Sequence, residues 1–342
     1  IYNPLTDVQI HRGEDWDLLL RGLFAGQYII AEMSGDVQQI LYQHGWLVQA
    51  EQAALAQRFY LKYVSLEATT GCNQACYFCP VSVAPRGNGV MSLEDYQRIV
   101  GQLAVYRHTI RAVFMNNYNE PTADPHFLER VQILKSYELT PALLTNGTGL
   151  TPKVIDALNA MGGLPFLTVN LSTIDRDRYR QERGRDHLLQ VLRNLDYLRE
   201  HPVGEMMNIV VLGKNDDRHQ RDYEEICERF ARSNFMVKFA RTNDRSSYLN
   251  VGQAQEQPHQ FLKGCDQTGS RPLQHLHINA TGTCVLCCQD YNEDYVIGNL
   301  MEQTVEEVLT GPAIALLRRW VYGIEDAPDD FICRKCIFAR IP

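Results

Sequence analysis

The chain has 342 residues, of which 45% are apolar and 22% charged, and its formal net charge is −8. This composition is that of an ordinary globular protein, and the length predicts about two domains. The acidic balance argues against a protein held mainly by nucleic-acid phosphates or an anionic membrane, so we expect neither partner. No apolar run approaches the roughly 18 residues that a membrane-spanning helix needs, and the first residues do not resemble a secretory signal.

Residues 1–57 are predicted to form a small leading module. Short helical patterns begin at Asp15 and at Val37, and the run from Trp46 to Val48 favours a strand. Residues 49–57 are polar and rich in alanine, which predicts a helical connector.

From about residue 60, strand and helix patterns alternate. Predicted strands cover 63–68, 110–115, 139–145, 167–171, 207–212 and 235–240, and predicted helices cover 92–105, 125–137, 152–161, 187–200 and 217–232. About six β/α repeats are too few for a complete eight-fold barrel, and they predict a parallel sheet with right-handed crossovers. In such folds the chemistry lies in the loops that follow the strands.

The alternation ends near residue 245. A hairpin is predicted from 275–279 and 283–286, around the turn at Gly282. Thr304 and Glu307 form a capping box that predicts a helix through about Trp320.

Ten cysteines carry most of the chemical information. They are Cys72, Cys76, Cys79, Cys227, Cys265, Cys284, Cys287, Cys288, Cys333 and Cys336. A disulfide framework belongs to small secreted domains, and this chain is neither small nor visibly secreted. Clustered thiols in such a chain indicate metal or redox chemistry.

The first cysteine group follows the first barrel strand directly. Cys72, Cys76 and Cys79 have the spacing C-x3-C-x2-C. Three thiolates on one loop can hold three irons of a [4Fe–4S] cluster and leave the fourth iron open. A structural zinc site usually needs four closed ligands, so zinc is the weaker interpretation.

This motif, with Phe78 at its aromatic position, resembles that of the radical S-adenosylmethionine (SAM) enzymes. The resemblance implies that the open iron binds the amino and carboxylate groups of SAM. It further implies that reduction of the cluster cleaves SAM to a 5′-deoxyadenosyl radical, which abstracts hydrogen from a substrate. In such an enzyme the cofactor does the difficult chemistry and the protein positions it.

The same resemblance suggests the residues that contact SAM. Beside Phe78 these are Glu120, Asn146, Ser172 and Arg180, each at or beyond the end of a predicted strand. Glu120 stands where the family has a Gly-Gly-Glu-Pro-like segment, although the two glycines are missing here. The stretch that holds Arg180 also contains further arginines, namely Arg176, Arg178, Arg183 and Arg185.

The C-terminal cysteines resemble the SPASM or twitch extension of radical SAM enzymes. The resemblance implies one auxiliary [4Fe–4S] cluster with Cys265, Cys287, Cys333 and Cys336 as ligands. Cys284 is the alternative to Cys287, a four-thiolate zinc site is the alternative to the cluster, and Cys288 is expected near the substrate. Cys227, in a helical pattern, is predicted to be a buried small hydrophobe.

The predicted fold is therefore α/β, a partial (β/α)6 TIM-like barrel at 58–245. A module at 1–57 precedes it, and a SPASM/twitch auxiliary-cluster domain at 246–342 follows it. We expect a cytoplasmic enzyme with a flavodoxin or ferredoxin as electron donor. The expected substrate is a ribosomally made precursor peptide, held by the leading module through strand addition and cross-linked, epimerised or oxidised.

Two alternatives differ in class from this reading. One is a radical dehydrogenase or epimerase that acts on a small molecule such as a sugar or aminocyclitol. The other is an iron–sulfur or zinc sensing protein that does not cleave SAM. The sequence assigns no catalytic side chain.

Overall fold

The structure, a computed structural model, describes residues 1–3, 8–44, 46–47, 61–267, 271–323 and 325–341. The last residue of the strand expected at 46–48 and the helical connector expected at 49–57 lie outside these ranges. No helix in the described part of the chain is long and apolar enough to cross a membrane.

The leading module has a small core of its own. Its two short strands, β1 and β2, pair in antiparallel fashion, and two helices follow them, as the sequence predicts. Leu20 and Leu41 come from the two helices and pack with Ile10, apart from the core of the barrel. The elements are β1 (Tyr2–Asn3), β2 (Val8–Gln9), the helices Asp17–Phe24 and Gly35–Gln43, and a 3-10 turn at Ile30–Glu32.

Six parallel strands form the barrel wall, which confirms the predicted partial barrel. They are β3 (Tyr63–Leu66), β4 (Ala112–Phe114), β5 (Pro141–Thr145), β6 (Phe166–Asn170), β7 (Met206–Gly213) and β8 (Phe235–Arg241). Their side chains alternate between the two faces, so that Leu167 and Val169 of β6 are buried in the core while Thr168 faces the other way. Because all six strands run in one direction, their carboxyl ends meet at one edge.

Helices cover the outer face of this wall. They are Leu93–Leu103, Phe127–Ser136, Pro152–Ala160, Arg176–Arg183, Leu188–Glu200 and Asp217–Phe230, with a short helix at Pro80–Val83 and 3-10 turns at Ala104–Tyr106 and Pro121–Ala123. Ser92 begins the first of them, since its side chain accepts a hydrogen bond from the backbone N–H of Asp95 at 3.0 Å. The helix Arg176–Arg183 was not among the predicted elements.

The C-terminal hairpin is part of the barrel sheet. Its first strand pairs in parallel with β3, with His275 opposite Tyr63, and antiparallel with the second. The described residues thus form a nine-stranded sheet in which the C-terminal strands extend the β3 edge. The remaining strands are β9 (Gly264–Cys265), β10 (His275–Ile278), β11 (Thr283–Val285), β12 (Val296–Asn299) and β13 (Ala339–Arg340).

The last long helix differs from its prediction. Thr304 and Glu307 form the expected capping box, but the helix through Trp320 is broken into two. Gly311 adopts an extended conformation between them, because the proline that follows disfavours the helical conformation in the residue before it. The helices of this domain are Arg271–Gln274, Val305–Thr310 and Pro312–Val321, with a 3-10 turn at Ile332–Lys335.

Candidate active site

The loop that carries the first three cysteines is fixed by its backbone. The N–H of Ala75 donates to the carbonyl of Arg183 at 2.8 Å, and the N–H of Tyr77 donates to that of Glu182 at 3.1 Å. These carbonyls end the helix Arg176–Arg183 and lack partners within it. The cysteine loop therefore supplies the missing donors, and Gly184, in the left-handed conformation at φ +66°, lets the chain turn away.

The three thiols of this loop lie close together. Burial, together with the neighbouring charges of Glu120, Cys76 and Cys79, raises the pKa of Cys72 to about 12. Burial also raises the pKa of Cys79. Thiolates in such a place need a nearby cation, and a cluster with three thiolate-bound irons fits this donor set.

Glu120 and Asn146 are found at the ends of neighbouring strands, where they anchor the cysteine loop. The buried Glu120 carboxylate accepts hydrogen bonds from the Thr145 hydroxyl at 2.6 Å and the Asn146 N–H at 2.7 Å. The Asn146 side chain donates to Asn73, between the first two cysteines, at 2.8 Å. Both oxygens of Glu120 are thus already bonded within the protein. These bonds hold the Glu120 carboxylate beside the cysteine loop.

Ser172 lies beyond β6 with an arginine bound to it, and that arginine is Arg183. One terminal nitrogen of Arg183 donates to Ser172 Oγ at 2.8 Å and to Asn170 Oδ1 at 2.9 Å, and the other lies 3.6 Å from Cys76 Sγ. The guanidinium also stacks on the ring of Phe78, with its carbon 5.0 Å from the ring centre. Arg183 therefore connects Ser172, Phe78 and the first cysteine group.

Arg180 does not fit this site. Its side chain is 67% exposed and lies 3.9 Å from that of Asp177, which is 93% exposed. Arg180 and Arg183 are three residues apart on the helix, so their side chains differ by about 60° in direction. Arg183 shares the buried face with Tyr179, which lies four residues before it. That i, i+4 pairing, together with Gly184 as the helix end, is the sequence signal that would have favoured Arg183.

A cavity of about 360 Å³, here called the β6–β7 cavity, opens beside this arginine. It is lined by Tyr77 of the cysteine loop, by Ser172 and Glu182, and by residues at and just beyond the end of β7, including Lys214. The Lys214 ammonium lies 5.3 Å from the centre of the Tyr77 ring. The volume of the β6–β7 cavity is within the usual range for cofactor sites.

The four C-terminal thiols predicted as ligands also come together. Burial raises the pKa of Cys333, and Cys287, Cys336 and Cys265 raise it further as neighbouring like charges. β13, just after Cys336, pairs with β9, which places Ala339 opposite Cys265. The donor set of four buried or half-buried thiols fits an auxiliary cluster.

The other cysteines separate from this group. Cys284 is fully buried in the apolar core, where burial raises its pKa, whereas Cys287 is one of the thiols that raise the pKa of Cys333. This geometry favours Cys287 over Cys284 as the ligand. Cys227 is half-buried beside Tyr223, which is less burial than its pattern predicted. Within the described ranges, no group of three or more His, Cys, Asp or Glu side chains surrounds a single-ion site.

A second cavity of about 360 Å³, the barrel cavity, has Cys288 and Arg245 in its lining. Cys288 directly follows Cys287 in the chain. The positive charge of Arg245 partly offsets the rise that burial causes in the pKa of Cys79. His275 and His277 of β10 also line the cavity. Side chains alternate along a strand, so Leu276 and Ile278 face the apolar core and the two histidines face the cavity. The expected position of Cys288 near a substrate fits this geometry.

A buried ion pair that the sequence did not indicate joins the two cysteine-bearing regions. Arg86, beyond the first motif, donates to both oxygens of the buried Glu67 at 2.6 and 2.8 Å. Its guanidinium packs against the rings of Tyr118 and Tyr291, 5.2 and 5.1 Å from their centres, and these two rings also contact each other edge to face. The Tyr118 hydroxyl in turn donates to the Cys288 carbonyl. These contacts fix the segment after Cys287 against the barrel.

Family comparisons agree with both groups. A model of the radical SAM superfamily matches residues 66–226, and a model of SPASM, an iron–sulfur cluster-binding domain, matches residues 265–337. The first domain implies a [4Fe–4S] cluster with SAM, and the second implies an auxiliary iron–sulfur cluster.

Similar curated proteins share about half of their length with this chain. A probable GTP 3′,8-cyclase of Pyrococcus horikoshii is 31% identical over 155 residues, which is 44% of this chain and 48% of the relative. A GTP 3′,8-cyclase of Chlorobaculum tepidum is 28% identical over 174 residues, 49% of this chain and 51% of the relative. The chain spans about half the length of these relatives.

Solved structures share the fold. Streptococcus suis SuiB bound to precursor peptide SuiA has a TM-score of 0.59 at 13% identity, over 89% of this chain and 79% of that one. Native anSMEcpe with bound AdoMet and Cp18Cys peptide has a TM-score of 0.56 at 15% identity, over 81% and 86%. With both domains matched in chain order over more than half of its length, the protein belongs to the radical SAM superfamily and carries a C-terminal SPASM domain.

Proposed function

We propose that this protein is a radical SAM enzyme that abstracts hydrogen from a ribosomally made precursor peptide and so cross-links, epimerises or oxidises it. The observation that carries the proposal is the barrel cavity, which is lined by Cys288, the residue after the predicted ligand Cys287, and by Arg245, whose charge acts on the pKa of Cys79. The fold shared with SuiB, whose structure holds a precursor peptide, supports it.

The chain's own residues hold and orient the cofactors in this proposal. Cys72, Cys76 and Cys79 would hold the first cluster, and Ser172 with Arg183 would bind the SAM carboxylate beside the β6–β7 cavity. When bound, the cluster and SAM supply hydrogen abstraction by a radical derived from SAM. Glu120 and Asn146 keep the cysteine loop in place.

The four C-terminal thiols would hold a second cluster, which would supply an electron acceptor for a cross-link or an oxidation, whereas an epimerisation leaves no electron to be accepted. Cys265, Cys287, Cys333 and Cys336 form a closed set of four ligands, so this cluster needs no open iron. Fixing the segment after Cys287 by Arg86 keeps that cluster at a constant position relative to the barrel cavity. We assign the external reduction to a flavodoxin or ferredoxin.

The leading module is proposed to bind the precursor peptide. In its described part, a ribbon of two strands has an edge available for strand addition. The first helix exposes Leu18 and Phe24 at 81% and 74%, although apolar side chains of this size are usually buried. Exposed apolar side chains and a strand edge in the same module suit a peptide that is held by its leader.

The test uses the reconstituted enzyme with each short peptide encoded near its gene. We expect one of them to stimulate 5′-deoxyadenosine formation, to change in mass, and to transfer deuterium into 5′-deoxyadenosine when deuterated. SAM cleavage that no peptide stimulates, while a small molecule does, would refute the proposal.

A matched set of surface variants tests the module. Leu18→Ser and Phe24→Ser are expected to raise the KM for the peptide and leave peptide-independent SAM cleavage unchanged. Leu189→Ser, on a barrel helix and 55% exposed, is the control and is expected to change neither. Equal KM values for all three variants and the parent would contradict a peptide-binding role for this helix.

A small-molecule substrate is the second candidate, because the similar curated proteins include GTP 3′,8-cyclases. GTP, sugars and aminocyclitols are therefore supplied in place of the peptide in the same assay. In a radical epimerase, Cys288 would return the hydrogen atom to the substrate, since its thiol lines the barrel cavity.

A further inference from the structure

The barrel cavity has a distinctive lining. The described residues around it include an arginine, two histidines and two asparagines, and no aspartate or glutamate. One wall is apolar, with the rings of Phe114 and Phe166 among its members. In a chain of net charge −8, this is a local concentration of hydrogen-bond donors without an acid to balance it.

The arginine of this lining is held by an unusual turn. Arg245, Ser246 and Ser247 follow one another in the left-handed conformation, at φ +55°, +56° and +70°. Residues other than glycine avoid this conformation. The buried Asp244 carboxylate fixes the turn by accepting the N–H groups of Ser246 and Ser247 at 3.1 and 3.0 Å. The fold thus maintains a disfavoured backbone at the residue that presents a cation to the cavity.

No ion pair joins Arg245 to a carboxylate in the described part of the chain. Its guanidinium lies 5.9 Å from the centre of the Tyr118 ring. Arg245 also borders a smaller cavity, of about 210 Å³, whose lining includes Asp290, Asp294 and Asp330. Asp294 and Asp330 are exposed to solvent. The Asp290 carboxylate is already bonded by the N–H groups of Asp294 and Tyr295, both at 2.9 Å. Arg245 therefore keeps donors for a ligand.

The histidines beside it are oriented by their neighbours. The Asn117 side-chain amide donates to the Ile278 carbonyl at 3.2 Å, which turns its oxygen toward His277. That oxygen lies 3.1 Å from His277 Nδ1, so Nδ1 carries the proton. His275 Nε2 lies 3.0 Å from the Ser65 hydroxyl, and the two imidazoles stack with centres 4.0 Å apart. These contacts hold both histidines in fixed orientations, and the His275 ring also stacks on Phe114, with centres 5.9 Å apart.

We propose that the barrel cavity recognises a carboxylate of the substrate through Arg245. The planar guanidinium suits a carboxylate, which it can bind with two parallel hydrogen bonds. The side chain of a glutamate or aspartate would place its carboxylate at Arg245 and leave its methylene groups in the cavity. The assignment to a peptide rests on the proposed function, whereas the carboxylate subsite itself does not.

The test compares two probes on the reconstituted enzyme with SAM. N-acetyl-L-glutamate α-amide and its neutral analogue, N-acetyl-L-glutamine α-amide, differ in charge and hardly in shape. We expect ligand-detected NMR to show that the glutamate probe binds about tenfold more tightly, as a charge-assisted hydrogen bond to Arg245 implies. Equal affinity for the two probes would overturn the proposal.

Variants then assign the preference to one residue. Arg245→Gln is expected to remove it, and Arg245→Lys to keep part of it because the charge remains without the planar fork. Arg241→Gln, an exposed arginine at the end of β8, is the control and is expected to keep the full preference. A preference for the glutamate probe that survives in both Arg245 variants would refute the assignment to Arg245. The comparison of the two probes on the unmodified enzyme decides whether the cavity prefers a carboxylate, even if one variant does not fold.

GTP serves as a third probe, because a phosphate offers an arginine similar acceptors. Tighter binding of GTP than of the glutamate probe, lost in Arg245→Gln, would make the subsite a phosphate site and overturn the carboxylate assignment. These binding experiments need no turnover. Failure of every peptide in the turnover assay would therefore refute the proposed function while leaving the carboxylate result to stand or fall separately.

Discussion

Replacing Arg183 with glutamine is expected to weaken SAM binding strongly, whereas the same change at Arg180 is expected to have little effect. The two arginines are three residues apart on one helix and differ mainly in surroundings. Arg183 is 2% exposed and bonded to Ser172 and Asn170. The Arg180 side chain is 67% exposed.

The magnitude follows from the kind of interaction lost. A hydrogen bond to a charged group contributes about 1.5 to 3 kcal/mol, and each 1.4 kcal/mol is a factor of ten in affinity. Loss of one such bond from Arg183 to the SAM carboxylate thus weakens binding roughly 10- to 100-fold. An exposed pair such as Arg180 with Asp177 contributes at most about 1 kcal/mol, and salt screens it.

The assay is the dissociation constant of SAM on anaerobically reconstituted protein, normalised to iron content. Arg183→Lys is included because it keeps a charge with fewer donors, and we expect an intermediate affinity. If Arg180→Gln weakens SAM binding as much as Arg183→Gln does, or if neither weakens it, the assignment of Arg183 is wrong.

Three further predictions concern the auxiliary cysteines and the buried ion pair. Cys287→Ala is expected to lose the auxiliary iron, and Cys284→Ala to retain it, which iron and sulfide analysis of each variant measures. Arg86→Met is expected to lower the free energy of unfolding by about 3 to 5 kcal/mol in chemical denaturation, because it leaves the fully buried Glu67 without its cation. Burial already raises the pKa of Glu67 and Arg86 opposes this, so the pKa rises further in Arg86→Met. The loss of stability in Arg86→Met should therefore be largest at alkaline pH and should shrink as the pH falls and Glu67 takes up a proton. A loss of stability that does not vary with pH, or that vanishes in neutral solution, would contradict this explanation. Loss of iron from Cys284→Ala would contradict the choice of Cys287 as the ligand.

The parts of the fold that depend on local pattern were predictable. The six barrel strands and the capped helix at Ser92 follow from hydrophobic periodicity and cap chemistry, which act over a few residues. The three-thiol loop was evident for the same reason, since its spacing lies within a single segment. The domain limits expected at 57 and 245 stay predictions.

What the sequence did not indicate depends on contacts between distant segments. The parallel pairing of His275 with Tyr63 joins residues far apart in the chain, and nothing local marks it. The ion pair of Arg86 with Glu67 is likewise visible only after the barrel closes around it. Arg183 was missed because several arginines in one stretch differ only in the face of a helix that was not itself predicted.

The most direct test of the account is an iron count on a triple variant. Cys72, Cys76 and Cys79 are each replaced with alanine, and the protein is reconstituted without oxygen and analysed for iron, sulfide and zinc. We expect about four irons per chain to remain on the C-terminal thiols, against about eight in the parent. No iron and one zinc per chain would make the C-terminal domain a structural zinc fold and would contradict an electron-accepting second cluster.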